Sequence, residues 1–123
     1  MGEMKDLLKQ ANNSLGRFSK EFPKQMEGFG KFMEAVEAPG ALDVKHKELI
    51  AVALSITAHC HWCIAYHVNG ALKAGATRAE IMEAAWVAIL MGGGPAVMYT
   101  QLVEEALDEF AGAASAKPTG KKK

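Results

Sequence analysis

Two stretches of this chain carry no charge at all. Leu49 to Leu72 runs 24 residues without Asp, Glu, Lys or Arg, and Ala84 to Val103 runs another 20. In a chain of 123 residues, segments of that kind have to leave water, either into a bilayer or into a packed helical core. The interruptions argue against the bilayer. His59, His61, His67 and Asn69 punctuate the first run, and Gly92-Gly93-Gly94-Pro95 breaks the second. A spanning helix of about 20 residues is apolar and continuous. The two runs therefore read as helices buried on most sides, partly against other copies of the chain, and no membrane partner is expected.

Half of the residues are hydrophobic but only 7% are aromatic. Ala, Leu, Val, Ile and Met supply the bulk, which favours helix over sheet. No segment alternates polar and apolar residues over more than a few positions. The expected fold is an all-α bundle of about six helices in one domain over residues 1–110, able to fold without disulfide staples. A first, peripheral helix runs from Glu3 to about Lys20. A second has Pro23 in its first turn and Met26, Phe29, Met33 and Val36 at spacings of three and four, and it ends at Pro39-Gly40. Asp43 caps a third helix, filled by Val44, Ile50, Ala51, Leu54 and Ile56, that runs to about Thr57. After a break at 57–59, a fourth runs from about His59 to Lys73, with Gly75 as its stop. Thr77 and Glu80 form a capping box for a fifth, carrying Ile81, Met82, Ala85, Val87, Ala88 and Leu90. Pro95 opens a sixth, to about Phe110. Residues 111–123 are Ala, Ser, Gly, Pro and Lys and read as a disordered basic tail. So many apolar residues in so short a chain point to self-association.

The 14 basic and 14 acidic residues cancel. Four of the lysines, Lys117, Lys121, Lys122 and Lys123, are in the tail, so the rest is mildly acidic and no nucleic-acid partner is expected. Met1-Gly2-Glu3-Met4-Lys5-Asp6 is charged, with no apolar stretch of a secretory leader, and Asp6 stands where myristoylation wants Ser or Thr. A cytoplasmic protein is expected.

Cys60 and Cys63 are the two cysteines, too few for a secreted disulfide framework. On a helix they are i, i+3 neighbours, and Cys63 and His67 are i, i+4 neighbours, so all three share a face. That spacing puts the two Cα atoms about 5 Å apart, within disulfide range. The pair could cycle between dithiol and disulfide with little backbone movement. A helix starting near His59 would hold both cysteines in its first turns, where the dipole and free N–H groups favour a thiolate. His67 is placed to accept or return a proton. Glu48, on the preceding helix, would approach His67 if the two helices pack antiparallel, and would orient its ring. Nucleophile, base and orienting group is the pattern of covalent catalysis.

Other readings stand beside this one. Cys60, Cys63, His67 and His59 or His61 count as four zinc ligands, although one short helix face cannot surround a tetrahedral ion; no metal and no cofactor is expected. The cysteines could also be buried, inert thiols, Glu48 a solvated helix residue and His67 a core histidine. His46 and His61 read as surface groups, and Trp62 and Tyr66 as core or interface. The triple glycine permits a tight turn and close helix packing; no strand precedes it and no Lys-Ser/Thr follows it, so it is not a phosphate loop.

Glu48, Cys60-x-x-Cys63 and His67, with Gly92-Gly93-Gly94-Pro95-Ala96 downstream, resemble the alkyl hydroperoxidase D-like branch of the carboxymuconolactone decarboxylase family. The likeness runs from about Phe22 to Phe110. It implies an all-α fold assembled into homo-trimers or homo-hexamers, acting as a thiol-dependent peroxidase or disulfide oxidoreductase in an antioxidant role. Its partners would be a peroxide and a dithiol reductant protein or small thiol. By the same resemblance, Cys63 is the cysteine oxidised to sulfenic acid. Cys60 is its proton donor and disulfide partner, and Glu48 and His67 form a proton relay. One departure is plain: the well-studied branch has histidine immediately before the second cysteine, where this chain has Trp62, with His61 one position earlier. The decarboxylase branch lacks the cysteine pair, so lactone decarboxylation is the weaker alternative. A redox-sensitive oligomeric binding or scaffold protein without turnover is the other.

Overall fold

The computed structural model describes residues 2–111 as six helices and, among them, no strand. They are α1 (Glu3–Glu21), α2 (Pro23–Glu37), α3 (Val44–Thr57), α4 (His61–Lys73), α5 (Arg78–Gly92) and α6 (Gly94–Ala111). The expected basic tail lies, from residue 112 onward, outside the described residues; Ala111 itself closes α6.

Short-range chemistry sets most of the boundaries. Asp43 accepts from the His46 N–H at 2.8 Å and starts α3. Thr77 and Glu80 satisfy each other's backbone N–H groups at the head of α5. Replacing Thr77 with alanine should cost about 1 kcal/mol, read as a lower midpoint in urea with an unchanged slope. Gly75, at φ 93°, closes α4: its N–H and that of Ala76 donate to Leu72 and Ala71 carbonyls.

The α3–α4 junction uses the same closing motif with an unusual residue. His59 N–H donates to the Ile56 carbonyl at 3.0 Å and Cys60 N–H to the Ser55 carbonyl at 3.2 Å. This places His59 in the left-handed region, at φ 56°, where a glycine is the usual occupant. Its ring lies flat on Tyr99, with centroids 4.5 Å apart and planes 3° from parallel, which supports the strained backbone. Closing α3 in this way uses up His59, so α4 begins at His61, two residues later than the sequence reading puts it.

The core is built from α3, α4, α5 and α6. Val52, Ile56, Ile64, Val68, Ile81, Val103 and Leu107 are completely buried, each worth about 1.5–3 kcal/mol of transfer free energy. Ala65, Ala71, Ala85 and Ala106 among them are also fully buried and let the helices approach closely. The N-terminal helix is less peripheral than its sequence suggests. Met4 is fully buried, and the Glu109 carboxylate from α6 accepts the N–H groups of Met4 (3.2 Å) and Lys5 (2.8 Å). That tertiary cap ties α1 across the end of the bundle.

Several residues read as helix filling are not covered by this chain. Ile50 and Leu54 on α3, and Val87 and Leu90 on α5, are exposed, Leu90 to 79%, and so are their α5 neighbours Trp86 and Met91. The inner face of α5 is already occupied by Ile81, Ala85 and Ala88, so the outer apolar face has nothing left within the chain to meet. Among the described residues no helix is long and apolar enough to cross a membrane.

Candidate functional site

The turn that closes α3 delivers Cys60 directly to the head of α4. Cys60 is the N-cap rather than a first-turn residue, and its Sγ accepts the Cys63 backbone N–H at 3.1 Å. A sulfur takes the place usually held by a Ser or Asp oxygen. The two cysteines are joined as a disulfide with Cα atoms 5.2 Å apart, a separation that helical spacing alone supplies. Cys63 sits at the third helical position, where orphan N–H groups and the dipole favour negative charge on a sulfur once the bond is reduced.

His67 follows one turn later. Glu48, in the first half of α3, meets His67 at the middle of α4 and lies against Gly70 beyond it, while the end of α3 adjoins the start of α4, so the helices run antiparallel. The Glu48 Oε1 lies 2.8 Å from His67 Nδ1, a geometry in which the ring N–H donates to the carboxylate. Both side chains are mostly covered, Glu48 to 15% exposure and His67 to 23%, which strengthens the contact over a surface pair. Engaging Nδ1 fixes the tautomer, and Nε2 is the nitrogen left to exchange protons.

Two cavities meet at His67. One, of about 350 Å³, is lined by Cys63, His67, Trp62 and Tyr66 from α4, by Phe29 and Met33 from α2, and by Gln10, Ala11, Ser14 and Leu15 from α1. The other, of about 360 Å³, holds Glu48 with Lys47, Glu37 and the apolar Val36, Val44, Ile50, Ala51 and Leu54. Cys63 lines only the first, Glu48 only the second, and His67 both. His67 thus links the cavity that holds Cys63 to the one that holds Glu48. The Tyr66 hydroxyl, in the Cys63 cavity, is held neutral to higher pH than usual by burial, then by the charges of Glu37 and Glu48.

Of the sequence-derived site residues, the structure brings Cys60 to Cys63 and Glu48 to His67. Trp62, read as core or interface, is not in the core: it is half exposed on this chain, lines the Cys63 cavity and donates its indole N–H to Gln10 Oε1 at 2.9 Å. Tyr66 likewise belongs to the cavity wall. His46 is exposed against Asp43, and His61 is exposed with its ring edge-on to Tyr99. Among the described residues no group of three or more His, Cys, Asp or Glu is arranged to hold a metal ion. The contribution of α1 to the cavity was invisible in the sequence, because a polar amphipathic helix carries no mark of which pocket it will wall.

Comparison with known proteins places this geometry in context. The sequence profile of the carboxymuconolactone decarboxylase family matches residues 23–115. A protein of the cox locus of Paracoccus denitrificans, itself uncharacterised, is 41% identical over 104 residues, covering 85% of this chain and 94% of that protein. A solved carboxymuconolactone decarboxylase family protein from Legionella pneumophila superposes with a TM-score of 0.87 at 40% identity, over 90% of this chain and 99% of that one. A family member from Thermotoga maritima, for which a part in an antioxidative response has been suggested, gives 0.76 at 30% identity, over 85% and 89% of the respective chains.

Proposed function

The chain belongs to the carboxymuconolactone decarboxylase family, and on that premise we propose that it is a thiol-dependent peroxidase and disulfide oxidoreductase of the alkyl hydroperoxidase D type. The observation that carries this reading is that His67, held by Glu48, lines the same cavity as Cys63, whose disulfide with Cys60 stands at the head of the same helix. The antioxidative role suggested for the Thermotoga relative supports it.

In the reduced protein, the Cys63 thiolate attacks one oxygen of the peroxide ROOH. The O–O bond breaks, Cys63 becomes a sulfenic acid, and ROH leaves after taking a proton. His67, oriented by Glu48, supplies that proton. The Cys60 sulfur then attacks the sulfenic sulfur, forming the disulfide and releasing water. A dithiol donor, a protein or a small thiol, attacks the disulfide, and two exchange steps return both cysteines to thiols while the donor is oxidised. No metal or organic cofactor enters the cycle. A cytoplasmic setting suits it, because the pair must be returned to the reduced state.

The outer apolar face of α3 and α5 supports a homo-trimer or homo-hexamer. Leu90→Glu puts a charge where that face would be covered, and should convert the assembled species to smaller ones in sedimentation velocity. A wild-type protein that sediments as a monomer at micromolar concentration would contradict the assembly.

The function is tested by following oxidation of a dithiol donor with hydroperoxide as acceptor. Turnover by wild type, lost in the Cys60→Ser/Cys63→Ser double variant, is expected. One oxidation of the pair without recycling would make the chain a redox-sensitive scaffold instead. Activity on a lactone acid that survives the double substitution would make it a decarboxylase.

A further inference from the structure

We propose that Gly70 is a positioning residue of this site: the Cβ it lacks is what allows the Glu48 carboxylate to lie against α4 and reach His67. The inference rests on the reading of Glu48 and His67 as a proton-transfer pair and adds the residue that sets their geometry.

A Cβ placed on Gly70 would stand 2.9 Å from Cδ, Oε1 and Oε2 of Glu48 alike, well inside the separation at which such atoms pack. Gly70 follows His67 by three residues, so both share one face of α4. The carboxylate that fills the space over Gly70 is the same one that meets His67 Nδ1 at 2.8 Å. Gly16, Gly28 and Gly30 also lie within helices, and a Cβ at any of them would meet nothing within 4 Å. Those glycines can be exchanged without consequence for a neighbour; Gly70 cannot. A glycine inside a helix weakens it. At position 70 that loss is matched by a contact no other residue type permits.

The clash would fall on the end of a flexible side chain rather than on backbone. The easiest relief in Gly70→Ala is rotation of the Glu48 side chain, which takes the carboxylate off His67 and leaves the fold intact.

The test compares Gly70→Ala, Glu48→Ala and the double variant, with three readouts. In steady-state kinetics, Gly70→Ala should lose about tenfold or more in kcat, the scale of a small misplacement of catalytic groups, with KM for peroxide within about twofold. The double variant should be no slower than Glu48→Ala, because both changes act through one carboxylate. In ¹H–¹⁵N spectra of the imidazoles, the hydrogen-bonded His67 Nδ1–H signal, assigned by its loss in Glu48→Ala, should also be lost in Gly70→Ala. In thermal unfolding, the double variant should melt at or above Glu48→Ala, since the clash is gone and alanine favours helix. A Gly70→Ala protein that keeps the wild-type rate and the Nδ1–H signal would overturn the proposal, as would additive losses in the double variant. If Glu48→Ala keeps full activity, the relay reading falls, and the Nδ1–H signal and the melting order alone decide the role of Gly70.

Discussion

Cys63→Ser should reduce peroxide-dependent turnover to the uncatalysed background, a loss of about a thousandfold or more, as when the nucleophile of a covalent mechanism is removed. The serine hydroxyl is isosteric but not ionised near neutral pH, so the helix head that favours a thiolate has nothing to act on. Cys60→Ser should fail differently. Cys63 still lines the cavity, so one equivalent of peroxide per chain is consumed and the reaction stops at the sulfenic acid, which a sulfenic-specific nucleophile traps. Burst size measured on the two reduced variants separates the roles: none for Cys63→Ser, one for Cys60→Ser. The reverse pattern would exchange the two cysteines in the mechanism.

Glu48→Gln should lower kcat about a hundredfold, the usual weight of a positioned acid–base group. The amide keeps the size of the carboxylate and takes away its charge, so His67 is left with a neutral acceptor in place of a charged one. His67→Gln should cost at least as much, and the double variant little more than His67→Gln alone, since the two residues act as a unit. Losses that multiply in the double variant would mean that Glu48 and His67 work separately.

What the sequence made legible was local. Asp43, the Thr77–Glu80 box and Gly75 act within one turn of their own positions, and each ends or begins a helix in the structure as its chemistry dictates. The i, i+3 and i, i+4 relations of Cys60, Cys63 and His67 needed only that α4 be a helix. The miss at the head of α4 was also local: His59 holds a left-handed turn with Tyr99 behind it, and a histidine at that position gives no warning that it replaces glycine. Long-range features were harder. Nothing near Gln10 or Leu15 announces that α1 walls the Cys63 cavity. Nothing near Gly70 announces that a carboxylate 22 positions upstream occupies its vacant side. Val87 and Leu90 carry the helical period of a buried face, yet burial within this chain is already taken by Ile81, Ala85 and Ala88. Periodicity marks a face as apolar without saying whether the same chain or another covers it.

Cys60 and Cys63 have to be a pair that peroxide oxidises. Fully reduced protein, freed of reductant, is treated with one equivalent of organic hydroperoxide, and its thiols are titrated before and after, with mass spectrometry of the peptide spanning both cysteines. The prediction is that both thiols disappear together and that the peptide becomes lighter by two hydrogens, with an internal Cys60–Cys63 bond. Two thiols that remain titratable, on a peptide of unchanged mass, would contradict it.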